Sequence, residues 1–84
     1  MTLFDLPLSQ TARVASLSLD PREAKRVRAV GVFEDEEVMV LRRAPFGGPI
    51  HLRTSSGGEF ALDAGLAKAI LVVGVDAEME RPAA

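Results

Sequence analysis

The sequence predicts a mainly β protein, a small and partly open antiparallel barrel of about five short strands with one short inserted helix. Two observations favour this fold class. Short segments of alternating apolar and polar residues recur along the chain, and glycine- or proline-rich turns separate them. Only residues 21–30 combine helical apolar spacing with a start and a stop signal. A chain of 84 residues has room for one core, so the strands must curl around it.

The N-terminal part of the chain predicts a docking segment followed by a strand. Residues 3–8 (LFDLPL) are apolar and carry a proline, so we expect them to pack on the core. The first strand is predicted over residues 12–19, where apolar residues alternate with arginine and serine. The alternation changes phase near Ala15 and Ser16, which predicts a β-bulge there.

The helix over residues 21–30 has the clearest boundaries in the sequence. Asp20 can accept a hydrogen bond from a backbone N–H of the first turn, and Pro21 suits the first helical position. Gly31 can adopt the positive φ that ends a helix. Three apolar residues fall on one arc of the helix and are predicted to face the core: Ala24, Val27 and Val30.

Four further strands are predicted, over residues 37–43, 50–54, 59–62 and 70–73. The first three form a meander, joined by a loop at residues 44–49 (APFGGP) and a tight hairpin turn at residues 55–58 (SSGG). Residues 63–69 predict one helical turn with Asp63 as its cap. We expect one domain over residues 1–74, followed by a flexible C-terminal tail over residues 75–84.

The composition excludes several classes of function. The chain has no cysteine, which excludes disulfide scaffolds, cysteine-ligated zinc and iron–sulfur clusters. Its 10 basic and 12 acidic residues give a net charge of −2, which is not typical of a nucleic-acid-binding protein. No apolar run is long enough to span a membrane, and the N-terminus lacks the basic region of a secretory signal. We therefore expect a cytoplasmic protein that is not inserted in a membrane.

The sequence contains no set of residues typical of catalysis. The single histidine, His51, is predicted on the outer face of its strand, where it is either a solvated residue or a metal ligand shared with another copy. No His–Ser or His–Cys pair is indicated, so we expect no enzyme activity. No cofactor is expected to be required, and weak binding of Fe²⁺ or Zn²⁺ is the alternative. The four acids at residues 34–37 are interpreted as a solvated turn, since their spacing differs from that of a calcium loop.

Two surface features are candidates for contact with a partner. The helix carries four basic residues opposite its apolar arc: Arg22, Lys25, Arg26 and Arg28. They form either a solvated face or a docking surface for an acidic protein or a phosphate group. The negative net charge and the scarcity of stacking aromatics favour protein over nucleic acid. Phe46, at the tip of the loop over residues 44–49, is either an exposed contact residue or folded back over the barrel end.

The order of several motifs over residues 3–73 resembles the FeoA family, ferrous iron transport protein A. The motifs are LFDLPL, ARV, RVRAVGV, RRAPFGGP, FAL and LAKAILV. The resemblance implies an SH3-like barrel, which agrees with the strand count, so the fold is predicted to be a small SH3-like antiparallel barrel. Three residues depart from the family pattern and change local charge or turn chemistry: Asp35 and Gly48, which replace a glycine and an aspartate, and Asp63, which replaces an arginine.

The resemblance also implies a function. Proteins of this family are cytoplasmic and assist FeoB, the GTP-binding membrane permease for ferrous iron, by SH3-like contact with its cytoplasmic region. A similar domain ends some DtxR-type repressors, so a metal-sensing or metal-linked self-associating domain is the alternative, and a homo-oligomer stays open. The predicted partner-binding residues are Arg22, Arg26, Arg28, Arg43, Pro45 and Phe46, and Arg26 fits the family position most directly. The metal alternative would use His51.

Overall fold

The computed structural model describes residues 1–56 and 58–75. Five strands form one antiparallel sheet in the order β4-β3-β2-β1-β5, so β4 and β5 are its two edges and the sheet is not closed. The predicted mainly β fold with an inserted helix is confirmed. The elements are β1 (Thr11–Leu17), α1 (Pro21–Ala29), β2 (Glu37–Arg43), β3 (Ile50–Thr54), β4 (Gly58–Leu62), α2 (Ala64–Ala67) and β5 (Ile70–Gly74).

Most of the predicted strand boundaries are confirmed. The bounds of β2 and β3 are those predicted, and the meander of β2, β3 and β4 is present. The register between β1 and β5 shifts between Val14 and Ser16, which confirms the predicted bulge. β1 ends at Leu17 instead of Leu19, and β5 continues to Gly74. Of the predicted tail, residues 76–84 lie outside the described part of the chain.

Helix α1 begins as predicted and ends one residue earlier. The N–H of Glu23 donates to the Asp20 carboxylate at 2.9 Å, and Gly31 has φ 112°. Ala24 and Val27 are buried, but the prediction that Val30 faces the core is wrong, because 47% of its surface is exposed. Val30 lies beyond the last helical residue, at φ −88° and ψ −1°, so the helical period no longer directs its side chain.

The N-terminal segment packs on the core, as predicted. A short 3₁₀ turn, Leu3–Asp5, buries Leu3, and Leu6 also has no exposed surface. Met1 and Thr2, which precede this turn, cover the outer edge of β5, where the N–H of Val72 donates to the Met1 carbonyl at 2.8 Å. The core cluster joins these leucines to the inward-facing residues of the sheet and to Val27 of α1.

The acidic turn before β2 is only partly solvated, so its interpretation as a solvated turn is wrong at Glu36. That residue is 8% exposed, and it accepts hydrogen bonds from the hydroxyls of Ser55 and Ser56. These hydroxyls hold the pKa of the Glu36 carboxyl below its usual value of 4.5, although burial acts in the opposite direction. Asp35, with φ 71°, adopts the left-handed turn that an aspartate tolerates.

Candidate partner-binding site

The loop between β2 and β3, residues 44–49, is narrow and closed by its own backbone. The N–H of Ala44 donates to the Pro49 carbonyl at 3.0 Å, and the N–H of Gly48 donates to the Pro45 carbonyl at 3.2 Å. A Cβ atom at Gly48 would lie 2.7 Å from the Cβ of Ala44, so this turn needs a glycine there. We call residues 44–49 the Phe46 loop.

Phe46 projects from the tip of this loop into solvent. Its relative exposure is 103%, so of the two predicted positions the structure shows the exposed one. Its φ is 59°, a left-handed conformation that costs a non-glycine residue about 1–3 kcal/mol. The exposed ring buries no apolar surface against residues 1–56 and 58–75, so this part of the fold gains nothing from its position. An exposed aromatic on a constrained loop is typical of a contact residue.

Arg43, at the base of the Phe46 loop, is bound to the N-terminal segment. Its Nε donates to the Phe4 carbonyl at 3.0 Å, and its Nη2 donates to the Leu6 carbonyl. Pro45 is exposed beside Phe46, but Arg43 is half-buried. The side chain therefore ties the loop base to the segment that covers β5, a contact that the sequence did not indicate.

His51 lies on the outer face of β3, as predicted, and both of its ring nitrogens face other side chains. Nδ1 lies 3.2 Å from Arg42 Nη2, and a guanidinium can only donate, so Nδ1 is the acceptor. In a neutral ring the proton is therefore assigned to Nε2, which lies 3.3 Å from Glu59 Oε1. A metal ion would have to displace Arg42 to reach Nδ1, whereas at Nε2 it would lie beside the Glu59 carboxylate. The described residues contain no group of three side chains that could hold a metal ion.

The basic residues of the predicted face of α1 differ in whether an acidic side chain pairs with them. Arg28 is paired with Glu34 through two contacts, at 3.2 Å and 2.9 Å, and this pairing lowers the pKa of Glu34. Arg22 and Arg26 are exposed, and no ion pair joins either of them to another described residue. The guanidinium of Arg22 is therefore available to a partner, whereas that of Arg26 also interacts with the nearby Glu23 carboxylate.

Two shallow grooves lie on either side of β4. The α1 groove has a volume of about 280 Å³, and its apolar lining includes Val27, Val30, Phe60 and Leu66, with Arg26 at its rim. The Arg42 groove, of about 260 Å³, is lined by Arg42, Arg43, Ala44, Pro49, His51 and Ala61. Ala61 also lines the α1 groove, so the two grooves meet at β4, next to the base of the Phe46 loop. The sequence did not indicate a binding role for Arg42 or for β4.

The sequence model of the FeoA domain matches residues 1–74. The chain belongs to the FeoA family. No match is found among the curated proteins. The FeoA solution structure from Chlorobium tepidum is 28% identical, with a TM-score of 0.80 over 89% of this chain and 70% of that chain. Zinc-complexed FeoA from Stenotrophomonas maltophilia, described as a procaryotic SH3 domain protein, is 33% identical, with a TM-score of 0.68 over 86% of this chain and 88% of that chain.

A third similar structure is a manganese-dependent transcriptional repressor in complex with manganese. It is 30% identical, with a TM-score of 0.81 over 89% of this chain but only 36% of that chain. The comparisons confirm the recognised family and the SH3-like fold class, and they connect this chain to ferrous iron transport. No helix among the described residues is long and apolar enough to cross a membrane.

Proposed function

We propose that this protein is a non-catalytic accessory and regulatory protein of ferrous iron uptake, which binds the cytoplasmic region of a FeoB-type iron permease. The observation that carries the proposal is the full exposure of Phe46 on a loop closed by two backbone hydrogen bonds. Family membership supplies the transport context. The proposed location is the cytoplasm, where that region of the permease lies.

A phenylalanine ring that is left in water forgoes the free energy of burial. Burying a phenylalanine side chain stabilises a complex by about 1.5–3 kcal/mol relative to leaving it exposed. The loop holds the Phe46 ring away from the described part of the chain, so a protein surface with an apolar pocket would recover that free energy. The exposed Pro45 adds rigid apolar surface beside the ring. Arg22 and Arg26 remain proposed polar contacts with the same partner.

The test is direct binding of the full chain to the cytoplasmic region of the cognate permease, with and without guanine nucleotide. We expect the wild type to bind, and we expect Phe46→Ala to weaken binding by about 2 kcal/mol, or about thirtyfold, as for an interface anchor. Phe33→Ala is the matched control, because Phe33 is also a partly exposed phenylalanine, at 38%, but lies outside the Phe46 loop. The proposal is wrong if the wild type does not bind in either nucleotide condition, or if Phe46→Ala binds as well as the wild type.

The alternative function is metal-linked self-association or metal sensing. The zinc-complexed FeoA relative and the manganese-bound repressor favour it. His51 would be the ligand, with carboxylates from a second copy completing the site. Addition of Zn²⁺ or Fe²⁺ should then increase the sedimentation coefficient of the wild type but not that of His51→Ala. An unchanged sedimentation coefficient for the wild type would exclude this alternative.

A further inference from the structure

We propose that the outer edge of β4 binds an extended partner segment whose side chains alternate between apolar and acidic, and that this segment joins the sheet as a further strand. The inference rests on the proposed function only in taking a protein as the partner. Within the described residues, no backbone–backbone hydrogen bond reaches Gly58–Leu62 apart from the ladder with β3.

The edge lacks several of the features that usually prevent strand addition. Natural edge strands are protected by charged side chains, above all lysine, by proline, by a β-bulge or by a short length. β4 (GEFAL) contains no lysine or proline and one charged residue, Glu59, and its ladder with β3 runs from the Thr54–Gly58 pair to the Ile50–Leu62 pair without a register shift. In an antiparallel ladder, alternate residues direct their N–H and C=O groups away from the partner strand. β4 therefore presents a regular row of backbone donors and acceptors.

The α1 groove lies on the inner side of β4, and its lining determines which side chains of an added strand can bind on that side. In an added strand, alternate side chains project to opposite faces of the sheet. Side chains on the inner side would enter the α1 groove, where Val30 and the half-buried Phe60 and Leu66 offer apolar surface. Since Arg26 is opposed there by Glu23 and Asp63, the groove has no strong preference for charge, and apolar side chains fit it best.

The Arg42 groove lies on the outer side of β4, and its lining determines which side chains of an added strand can bind there. The residues that line the Arg42 groove include Arg42, Arg43 and His51, and none of them is acidic. The Arg43 guanidinium is bound to the Phe4 and Leu6 carbonyls, so Arg42 carries the positive charge that a partner would meet. Glu59, on this face of β4, lies 3.3 Å from His51 Nε2 and 3.4 Å from Arg53 Nη2, and no ion pair joins it to Arg42. A side chain entering from an added strand therefore meets a positive surface, and aspartate or glutamate is its complement.

The two grooves and the Phe46 loop form one continuous surface. Ala61 lines both grooves, and Ala44 and Pro49 of the Phe46 loop line the outer one. A strand on β4 would thus end near the base of the Phe46 loop, so that one partner could bind to both.

The probe is a short, end-blocked peptide of alternating valine and glutamate, titrated into the ¹⁵N-labelled full chain. We expect chemical-shift changes confined to β4, the α1 groove and the Arg42 groove, and about tenfold weaker binding of a valine–lysine peptide. Arg42→Glu should reverse this preference. Lys25→Glu is the matched control, because the exposed Lys25 lines neither groove and reversal of its charge should leave the preference unchanged.

Backbone methylation of the peptide separates strand addition from side-chain docking. Two peptides are made, each N-methylated on one alternate set of amides, because only one set can face β4. We expect one set to weaken binding about tenfold, from the loss of two or three hydrogen bonds, and the other to leave it unchanged. Equal binding of both methylated peptides, equal binding of the lysine peptide, or no binding at millimolar concentration would each overturn the proposal.

A second copy of the chain is the competing occupant of this edge. If sedimentation shows a dimer in which the outward-facing β4 amides are protected from exchange, and the valine–glutamate peptide does not dissociate it, the edge binds another copy and the proposal is wrong. Because the probe is not the permease, failure of this test leaves the Phe46→Ala test of the proposed function intact, and the reverse also holds.

Discussion

The outer edge of β5 is covered by the first residues of the chain, whereas the outer edge of β4 has no backbone partner among residues 1–56 and 58–75. At β5, the N–H of Val72 donates to the Met1 carbonyl at 2.8 Å, and Thr2 forms a bridge with Leu71. At β4, a shallow groove lies on each face of the strand.

The difference shows what is needed to cover a strand edge. Met1 and Thr2 alone make too few hydrogen bonds to stay in place against their conformational entropy. They are held there because Leu3 and Leu6 are buried and because Arg43 binds the carbonyls of Phe4 and Leu6. No such anchored segment lies beside β4 in the described chain, so its backbone groups remain available to a partner.

Among the substitutions that test this difference between the two edges, Leu6→Ala should change the free energy of unfolding most, because it removes an anchor of the segment that covers β5. Leu6 has no exposed surface, so we expect a loss of about 3 kcal/mol in the free energy of unfolding, measured by urea denaturation. Leu8→Ala is the matched control, since 49% of Leu8 is exposed, and it should change stability by about 0.5 kcal/mol or less. Equal losses for the two variants would contradict the anchoring role.

The next effect should come from Arg43→Met, which keeps much of the side-chain volume but removes both hydrogen bonds to the N-terminal segment. Two half-buried carbonyls lose their donor, so we expect a loss of about 1–3 kcal/mol in urea denaturation. The neighbouring exposed Arg42 offers a control, and Arg42→Met should cost about 0.5 kcal/mol or less. A larger cost for Arg42→Met than for Arg43→Met would show that Arg43 does not hold the segment.

Glu36→Gln should cause a smaller, pH-dependent loss in the free energy of unfolding, because it weakens the hydrogen bonds between residue 36 and the β3–β4 turn. Hydrogen bonds from Ser55 and Ser56 lower the folded-state pKa of Glu36, so its stabilising contribution is present above the usual value of 4.5. That contribution is lost as the pH falls through the lowered folded-state pKa. We therefore expect the stability difference between wild type and variant, measured by urea denaturation, to shrink in acid.

Salt separates this buried carboxylate from an exposed one. Glu34→Gln removes the exposed pair with Arg28, and its effect should disappear at high ionic strength. The effect of Glu36→Gln should persist, because Glu36 is bound by hydroxyl groups in a buried position. If salt removed both effects equally, Glu36 would be acting as a surface charge.

Local chemistry made most of the fold predictable from the sequence. Alternation of apolar residues gave β2 and β3 their correct bounds, and the phase change at Ala15–Ser16 located the bulge. The side chains of Asp20 and Asp63 cap α1 and α2 as expected, because capping depends only on residues within the next turn. The error at Val30 came from extending the helical period beyond the last helical residue.

The site was less predictable because its contacts join residues that are far apart in the chain. Arg43 binds carbonyls that lie 39 and 37 residues away, and nothing in the local pattern indicates this. The burial of Glu36 did have a signal, since alternation with the buried Val38 and Val40 places it on the inner face. Hydrogen bonds from Ser55 and Ser56, which lie 19 and 20 residues away, compensate for the burial of the Glu36 carboxylate. The run of four acids nevertheless favoured the interpretation as a solvated turn.

The difference between the β5 and β4 edges can also be tested without any substitution. The measurement is hydrogen–deuterium exchange at the backbone amides of the wild-type protein, followed by NMR. The amide of Val72 on the covered edge should exchange slowly, because it donates to Met1. On β4, one alternate set of amides faces β3 and should also exchange slowly, while the other set should exchange at least about tenfold faster. In Leu6→Ala, the exchange of Val72 should rise toward that of the fast set, because the covering segment has lost its anchor. Slow exchange at every β4 amide of the free protein would mean that this edge is already occupied, and the difference between the two edges would then lie in which segment covers them.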